Sequence, residues 1–194
     1  MYTWGYLKEN ILNKLNLTEA EANELNLLSR FHYYANEAMT QICSIKPRET
    51  FFTVNINEDD ENIDIAIQMP DDFISFNDDV VEFKSEDDKI FYEVGDDFVE
   101  YHGYNEIICK AYGDYRIPYN ARWIFFTGGM VPTTQLSMPA DICDAIPSYV
   151  ASQCLKIDDE VKAATYRNEF EMFLARIDDT SFRRQRTLRI GGDW

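Results

Sequence analysis

A chain of 194 residues, 45% of them hydrophobic, is long enough to bury one ordinary core, or one core elaborated by a substantial insertion. Its net charge of −17 argues against a protein that grips nucleic acid by neutralising phosphates, a mode that takes clustered Lys and Arg. No apolar run approaches the roughly 18 to 20 residues needed to cross a bilayer, and no basic stretch followed by an apolar one opens the chain, so the expectation is a soluble, unexported protein with no membrane partner.

The charge is unevenly placed. Seventeen Asp and Glu between Glu58 and Glu100 are matched only by Lys84 and Lys89, whereas four of the ten arginines, Arg183, Arg184, Arg186 and Arg189, fall in the last dozen residues. An acidic middle and a basic end suggest an electrostatic partner for that end. The cysteines Cys43, Cys109, Cys143 and Cys154 form no CxxC pair, and reduced, buried thiols are expected of them.

Taken in chain order, Trp4, Leu7, Ile11, Leu12 and Leu15 recur at helical spacing. A turn at Asn16 and Leu17 leads to Thr18 and Glu21, the T-x-x-E of a capping box, which opens a second predicted helix reaching about Cys43. After Pro47 the period becomes two. Phe52, Val54 and Ile56, then Ile63, Ile65 and Ile67, predict a hairpin across an acidic turn at Glu58 to Glu61. Further strand-like runs are Asp79 to Phe83, Ile90 to Val94, Phe98 to His102, Glu106 to Tyr112 and Trp123 to Thr127, with turns expected at Ser85 to Asp88 and at Gly128-Gly129. Helical spacing resumes at Pro139, and Pro147 must start a new helix or kink one. Asp158 or Asp159 is placed to cap a last helix, apolar at Val161, Ala164, Phe170, Phe173, Leu174 and Ile177, which Asp178 is expected to end. No internal repeat is present.

The fold class this predicts is α+β. A helical core is built from an N-terminal helical hairpin (1–47) and a C-terminal helix pair (138–178). An antiparallel β-sheet insertion (48–137) interrupts it, and an extended basic arm (179–194) follows.

Chemistry-bearing patterns are sparse. The paired carboxylates Asp71/Asp72, Asp78/Asp79, Asp87/Asp88, Asp96/Asp97 and Asp158/Asp159 could suggest acid–base or two-metal work, but neighbours on a strand point to opposite faces, and solvated turns and helix caps account for them. No EF-hand spacing, no metal-ligand cluster around His32 or His102 and no G-x-S-x-G elbow occurs. Tyr101, Tyr104, Tyr112, Tyr115 and Tyr119 could stack bases, but that mode needs a basic groove, and packing is the simpler reading. Neither an enzyme nor a cofactor is expected.

The C-terminal third carries more as a whole string. Met138-Pro139-Ala140-Asp141, followed by IPSYVASQCLKIDDEVKAATYRNEFEMFLARI from Ile146 to Ile177, resembles the helical pair of head-to-tail connector, or adaptor, proteins of tailed bacteriophages. The resemblance lies in a Pro-Tyr-x-Ala-type helix, an Asp-Asp turn and an Arg-Asn-x-Phe-Glu-like run, here Arg167, Asn168, Glu169, Phe170 and Glu171. Met69-Pro70-Asp71-Asp72-Phe73 also looks like the Leu-Pro-x-Asp-Phe step of such proteins.

The resemblance implies a structural protein of the virion neck, assembled in the host cytoplasm as a homo-oligomeric ring, commonly twelvefold, beneath the portal protein. Double-stranded DNA would pass through without specific binding, and further neck or tail proteins would attach below. The arm, with Phe182, Arg183, Arg184, Arg186, Leu188, Arg189, Ile190 and Trp194, would dock on the portal, since an unstructured segment with aromatic anchors between arginines can fold onto a partner. A solubilising tail is the plainer alternative. Asp71, Asp72, Asp78, Asp79, Asp87, Asp88, Asp96 and Asp97 would either line the channel, where negative charge repels phosphates, or form a solvated outer surface. The rival functions are an acidic DNA mimic that occupies a cationic site, another neck or tail ring component, and a metal-dependent hydrolase using Asp158 and Asp159.

Overall fold

The computed structural model describes residues 2–57, 64–77, 80–85 and 88–188, with side chains described as far as Ile177. Among the described residues are five helices and eight strands, an α+β combination with antiparallel sheets. They fall into two compact units, one of residues 1–46 with 123–194 and one of 47–122.

The first unit is helical. α1 (Trp4–Leu15) is capped by Thr3, whose hydroxyl accepts from the Tyr6 N–H at 3.2 Å, and ends at Asn16 with φ 56°. The capping box at Thr18 and Glu21 is present, but the helix it opens, α2 (Glu19–Glu24), is only six residues long. The single helix expected to reach Cys43 is two. Asn26 adopts φ 55°, and the N–H groups of Asn26 and Leu27 donate to the carbonyls of Asn23 and Ala22, a left-handed stop that Asn tolerates better than most residues. α3 (Leu28–Cys43) then starts afresh and buries Phe31, Ala35, Ala38, Met39 and Ile42. α4 (Ala140–Leu155) runs uninterrupted through Pro147, which therefore does not begin a second helix. Every residue from Ala145 to Ser152 is buried, because α1, α3 and α5 all pack on α4.

α5 (Glu160–Leu188) is capped as expected by Asp159, whose carboxylate accepts from the Lys162 N–H at 3.0 Å. It does not end at Asp178. The backbone stays helical to Leu188, so residues 179–188 of the expected extended arm are helix. The segment holds no Gly or Pro before Gly191 to stop it. Residues 189–194 of the arm lie outside the described residues.

Residues 123–139 lace the helices together. Trp123 donates from Nε1 to the Lys46 carbonyl at 2.8 Å, and the Asn36 amide both donates to the Phe126 carbonyl at 2.8 Å and accepts from its N–H at 2.9 Å. The aromatic run Trp123 to Thr127, expected as a strand, is thus irregular backbone: Phe126 is buried against Trp4, its ring 5.1 Å away, while Phe125 is exposed.

The second unit holds two sheets around one core. β8 (Gly113–Ala121) is the hub of the larger sheet. Its whole length pairs antiparallel with β1 (Arg48–Ile56), while its other edge pairs with β3 (Phe73–Phe76) near Ala121 and with β4 (Val81–Lys84) near Asp114; β5 (Tyr92–Val94) extends the sheet from β4. The smaller sheet has the order β2 (Ile65–Gln68), β7 (Glu106–Cys109), β6 (Val99–His102). Val81, Phe83, Tyr115, Ile117 and Tyr119 from one sheet share a core with Val99, Ile107 and Cys109 from the other. The hairpin expected between β1 and β2 does not exist. The two strands belong to different sheets, because alternation specifies a strand and its buried face, not its partner. The acidic turn between them, 58–63, lies outside the described residues.

Two residues of β8 show why it holds its place. At Gly113 φ is 146° and a Cβ would stand 2.5 Å from the Lys84 carbonyl oxygen, so only glycine fits. Pro118 falls between the β4 register, which ends at Arg116, and the β3 register, which starts at Tyr119. A missing N–H is least costly in such a gap.

Candidate interaction surface

The sheet unit concentrates the charge. It carries twenty Asp and Glu against six Lys and Arg, a net −14 of the chain's −17. Its acids are not equivalent. Asp72 accepts an ion-pair hydrogen bond from Arg48 and a hydrogen bond from the Tyr119 hydroxyl at 2.9 Å, so it is a joint between β1, β3 and β8. Burial, together with that carboxylate, pushes the Tyr119 hydroxyl up to about 12. Asp88 closes the turn after β4, accepting from the Ser85 hydroxyl at 2.7 Å and from the Ser85 N–H at 3.3 Å. Asp71, Asp96 and Asp97 are exposed, while Asp78, Asp79 and Asp87 lie outside the described residues.

Nor do the described acids converge. The Asp72 carbonyl accepts from Arg122 N–H, beyond the last residue of β8, whereas Asp88 follows Lys84, whose register partner is Asp114 near the first. At about 3.3 Å per residue these positions are roughly 25 Å apart along the strand. They form a diffuse negative skin, with no pair of carboxylates set to share a proton or an ion.

The outward face of the larger sheet is different. Lys84 pairs with Asp114 at 2.8 Å and Arg116 with Glu82 at 2.8 Å, Asn55 donates to Asp114 at 2.7 Å, and the Arg116 guanidinium lies 4.8 Å from the Phe51 ring and 4.3 Å from the Phe91 ring. Lys84 and Asn55 hold the Asp114 carboxyl below the usual carboxylate range. Sequence reasoning missed this face because its residues come from three strands, β1, β4 and β8, and from Phe91 just before β5, and none forms a local motif. The alternation of Tyr115, Ile117, Tyr119 and Ala121 was the available signal.

In the helical unit, the run Arg167 to Glu171 proves to be a packing device. Phe170 is fully buried with its ring 4.9 Å from that of Tyr149, and Arg167 donates to Gln41 at 3.0 Å, pairs with Glu171 and lies 5.2 Å from the Tyr149 ring. Lys14 adds an ion pair to Glu169 at 2.8 Å. These contacts fix α5 against α1, α3 and α4. A groove of about 480 Å³ between α4 and α5 is lined by Ser152, Lys156, Glu160, Ala163 and Arg167 among others, and the Ser152 hydroxyl is engaged with the Tyr149 carbonyl at 2.7 Å. Burial raises the thiols of Cys109, Cys143 and Cys154 to about 12, which keeps them protonated and weakly nucleophilic. Among the described residues no three His, Cys, Asp or Glu side chains gather at metal-binding distance, and no helix is long and apolar enough to cross a membrane.

Of the docking residues read from the sequence, Phe182, Arg183, Arg184, Arg186 and Leu188 are on the helical backbone of α5, and Arg189, Ile190 and Trp194 lie outside the described residues. No protein-family model matches the chain, and no curated protein is similar to it.

Proposed function

We propose that the chain is a structural head-to-tail adaptor of a tailed phage: one subunit of a ring, probably of twelve, that sits under the portal, extends the DNA conduit and links head to tail. In this reading the helices form the core, the sheet unit is its insertion and the basic C-terminal segment docks on the portal. The observation that carries it is the stretch Ile146 to Ile177, which resembles the adaptor helix pair and folds as two helices in contact, joined by four residues that include Asp158-Asp159. The helix then continues for eleven residues past Ile177, about 16 Å, into the arginine cluster. Cationic residues on a short helical extension suit capture by an acidic surface, with Arg able to make bidentate contacts.

The exposed acids Asp71, Asp96 and Asp97 suit a surface past which DNA must slide without sticking, since like charge repels phosphate. The proposed role is therefore assembly, with no chemical step.

Native mass spectrometry of the chain mixed with a portal ring of the same phage tests this. The expected result is a ring of subunits on the portal that is lost when residues 179–194 are deleted. A chain that never joins the portal overturns the adaptor role, and one that joins equally well without 179–194 overturns the docking segment.

A further inference from the structure

The edge strands β2, β3, β5 and β6 are three or four residues long, short enough to offer little template to another chain. β1 is not. It runs nine residues, is hydrogen-bonded to β8 along one side, and among the described residues makes no backbone hydrogen bond along the other. None of the usual protections interrupts it: Thr50 to Ile56 contains no Pro and no charge. Phe52 and Val54 are only half-buried against the core of the unit, and Phe51 is 56% exposed. Among the described residues the core thus reaches an open border along β1.

We propose that β1 is a strand-addition edge whose partner is β1 of a second copy, paired antiparallel about a twofold axis at Phe52. In that register all nine residues pair. Arg48 faces Ile56, Glu49 faces Asn55, Thr50 faces Val54, Phe51 faces Thr53, and Phe52 faces its own copy. No like charges meet, and the central pairs are the aromatic and β-branched combinations that stabilise neighbouring strands. Side chains keep their faces, because opposed residues have the same parity.

A basic peptide is drawn to the unit by its net −14, but on the strand itself it meets Glu49 as the one counter-charge, so charge sets no register for it there. An acidic one is repelled by the unit's net −14. The same repulsion acts between copies, so pairing strengthens as salt screens it. A twofold contact cannot by itself close a cyclic ring. The dimer is therefore a property of the free chain and stands independently of the adaptor role.

The test uses the full chain without a portal, in light scattering over a concentration series. Two double variants share Phe51→Glu. With Thr53→Glu the proposed register opposes carboxylates twice, and with Thr53→Lys it opposes Glu to Lys twice. Within one copy Arg116 lies over Phe51 and pairs in register with Thr53, so the fold itself favours F51E/T53E. The dimer favours F51E/T53K, and the two effects have opposite sign. The expected result is a dimer for the native chain and for F51E/T53K, with a dissociation constant about tenfold or more higher for F51E/T53E. Hydrogen exchange of the native chain should show alternate amides of β1 becoming protected as concentration rises. A native chain monomeric at every concentration, equal dimerisation of the two variants, or concentration-independent exchange in β1 overturns the proposal.

Discussion

Ser148 is fully buried on α4, and its hydroxyl has no hydrogen-bond partner among the described residues. Beside it in sequence is Pro147, buried in the same helix and unable to donate a backbone hydrogen bond. A buried hydroxyl left without a partner forfeits its hydration and gains nothing in return. Asn36 shows the opposite case, because both ends of its amide are used on the Phe126 backbone. Ser148→Ala should therefore raise stability by about 1 kcal/mol, or about 2–4 °C in a chain of this length, with thermal unfolding followed by circular dichroism as the measurement. A fall of similar size would mean that the hydroxyl is satisfied in solution.

α5 begins on a cap that titrates. The backbone N–H of Lys162 and then its ammonium hold the Asp159 carboxyl below the usual carboxylate range. A carboxyl depressed in the folded state contributes stability that is present above its unfolded pKa of about 4 and is lost as pH falls through the folded value. Asn also caps a helix but does not titrate. Asp159→Asn should thus keep most of the native melting temperature at neutral pH and show a shallower fall on acidification, whereas Asp159→Ala should melt lower already at neutral pH; urea unfolding at pH 7 and pH 3 separates the three chains. This cap was legible in the sequence because capping chemistry is local, as was the box at Thr18 and Glu21. Features set by distant partners were not. The pairing of β1 with β8 joins residues as distant in sequence as Arg48 and Ala121, and Pro118 masked the strand that organises the larger sheet. Asp72 looked like half of an acidic pair, yet its role comes from Arg48 and Tyr119, which lie 24 and 47 positions away. The helical course of α5 beyond Asp178 was missed for another reason, since an acidic residue was read as a stop where no Gly or Pro enforces one.

Across the whole molecule two electrostatic effects compete, and salt separates them. Ion pairs support the sheet unit at Arg48–Asp72, Lys84–Asp114, Lys110–Glu100 and Arg116–Glu82. All are partly exposed, a setting in which such pairs contribute about 0–1 kcal/mol each. Among the described residues they engage four of the unit's six cations and four of its twenty acids, so acids remain in large excess. Screening weakens the pairs and the repulsion alike. At about 10 mM salt the Debye length, about 30 Å, exceeds the dimensions of a unit this small, so nearly every acid feels every other; at about 0.15 M it is about 8 Å and only neighbours interact. The repulsive terms are more numerous and longer in range, so they lose more on screening than the close pairs do. The melting temperature of the intact chain should accordingly rise as sodium chloride is raised from low to physiological concentration, and the gain should shrink as pH falls towards the range where the carboxylates protonate. A melting temperature that drops with salt would mean that the ion pairs outweigh the repulsion and that the acidic positions have been assigned the wrong sign in the energetics of this fold.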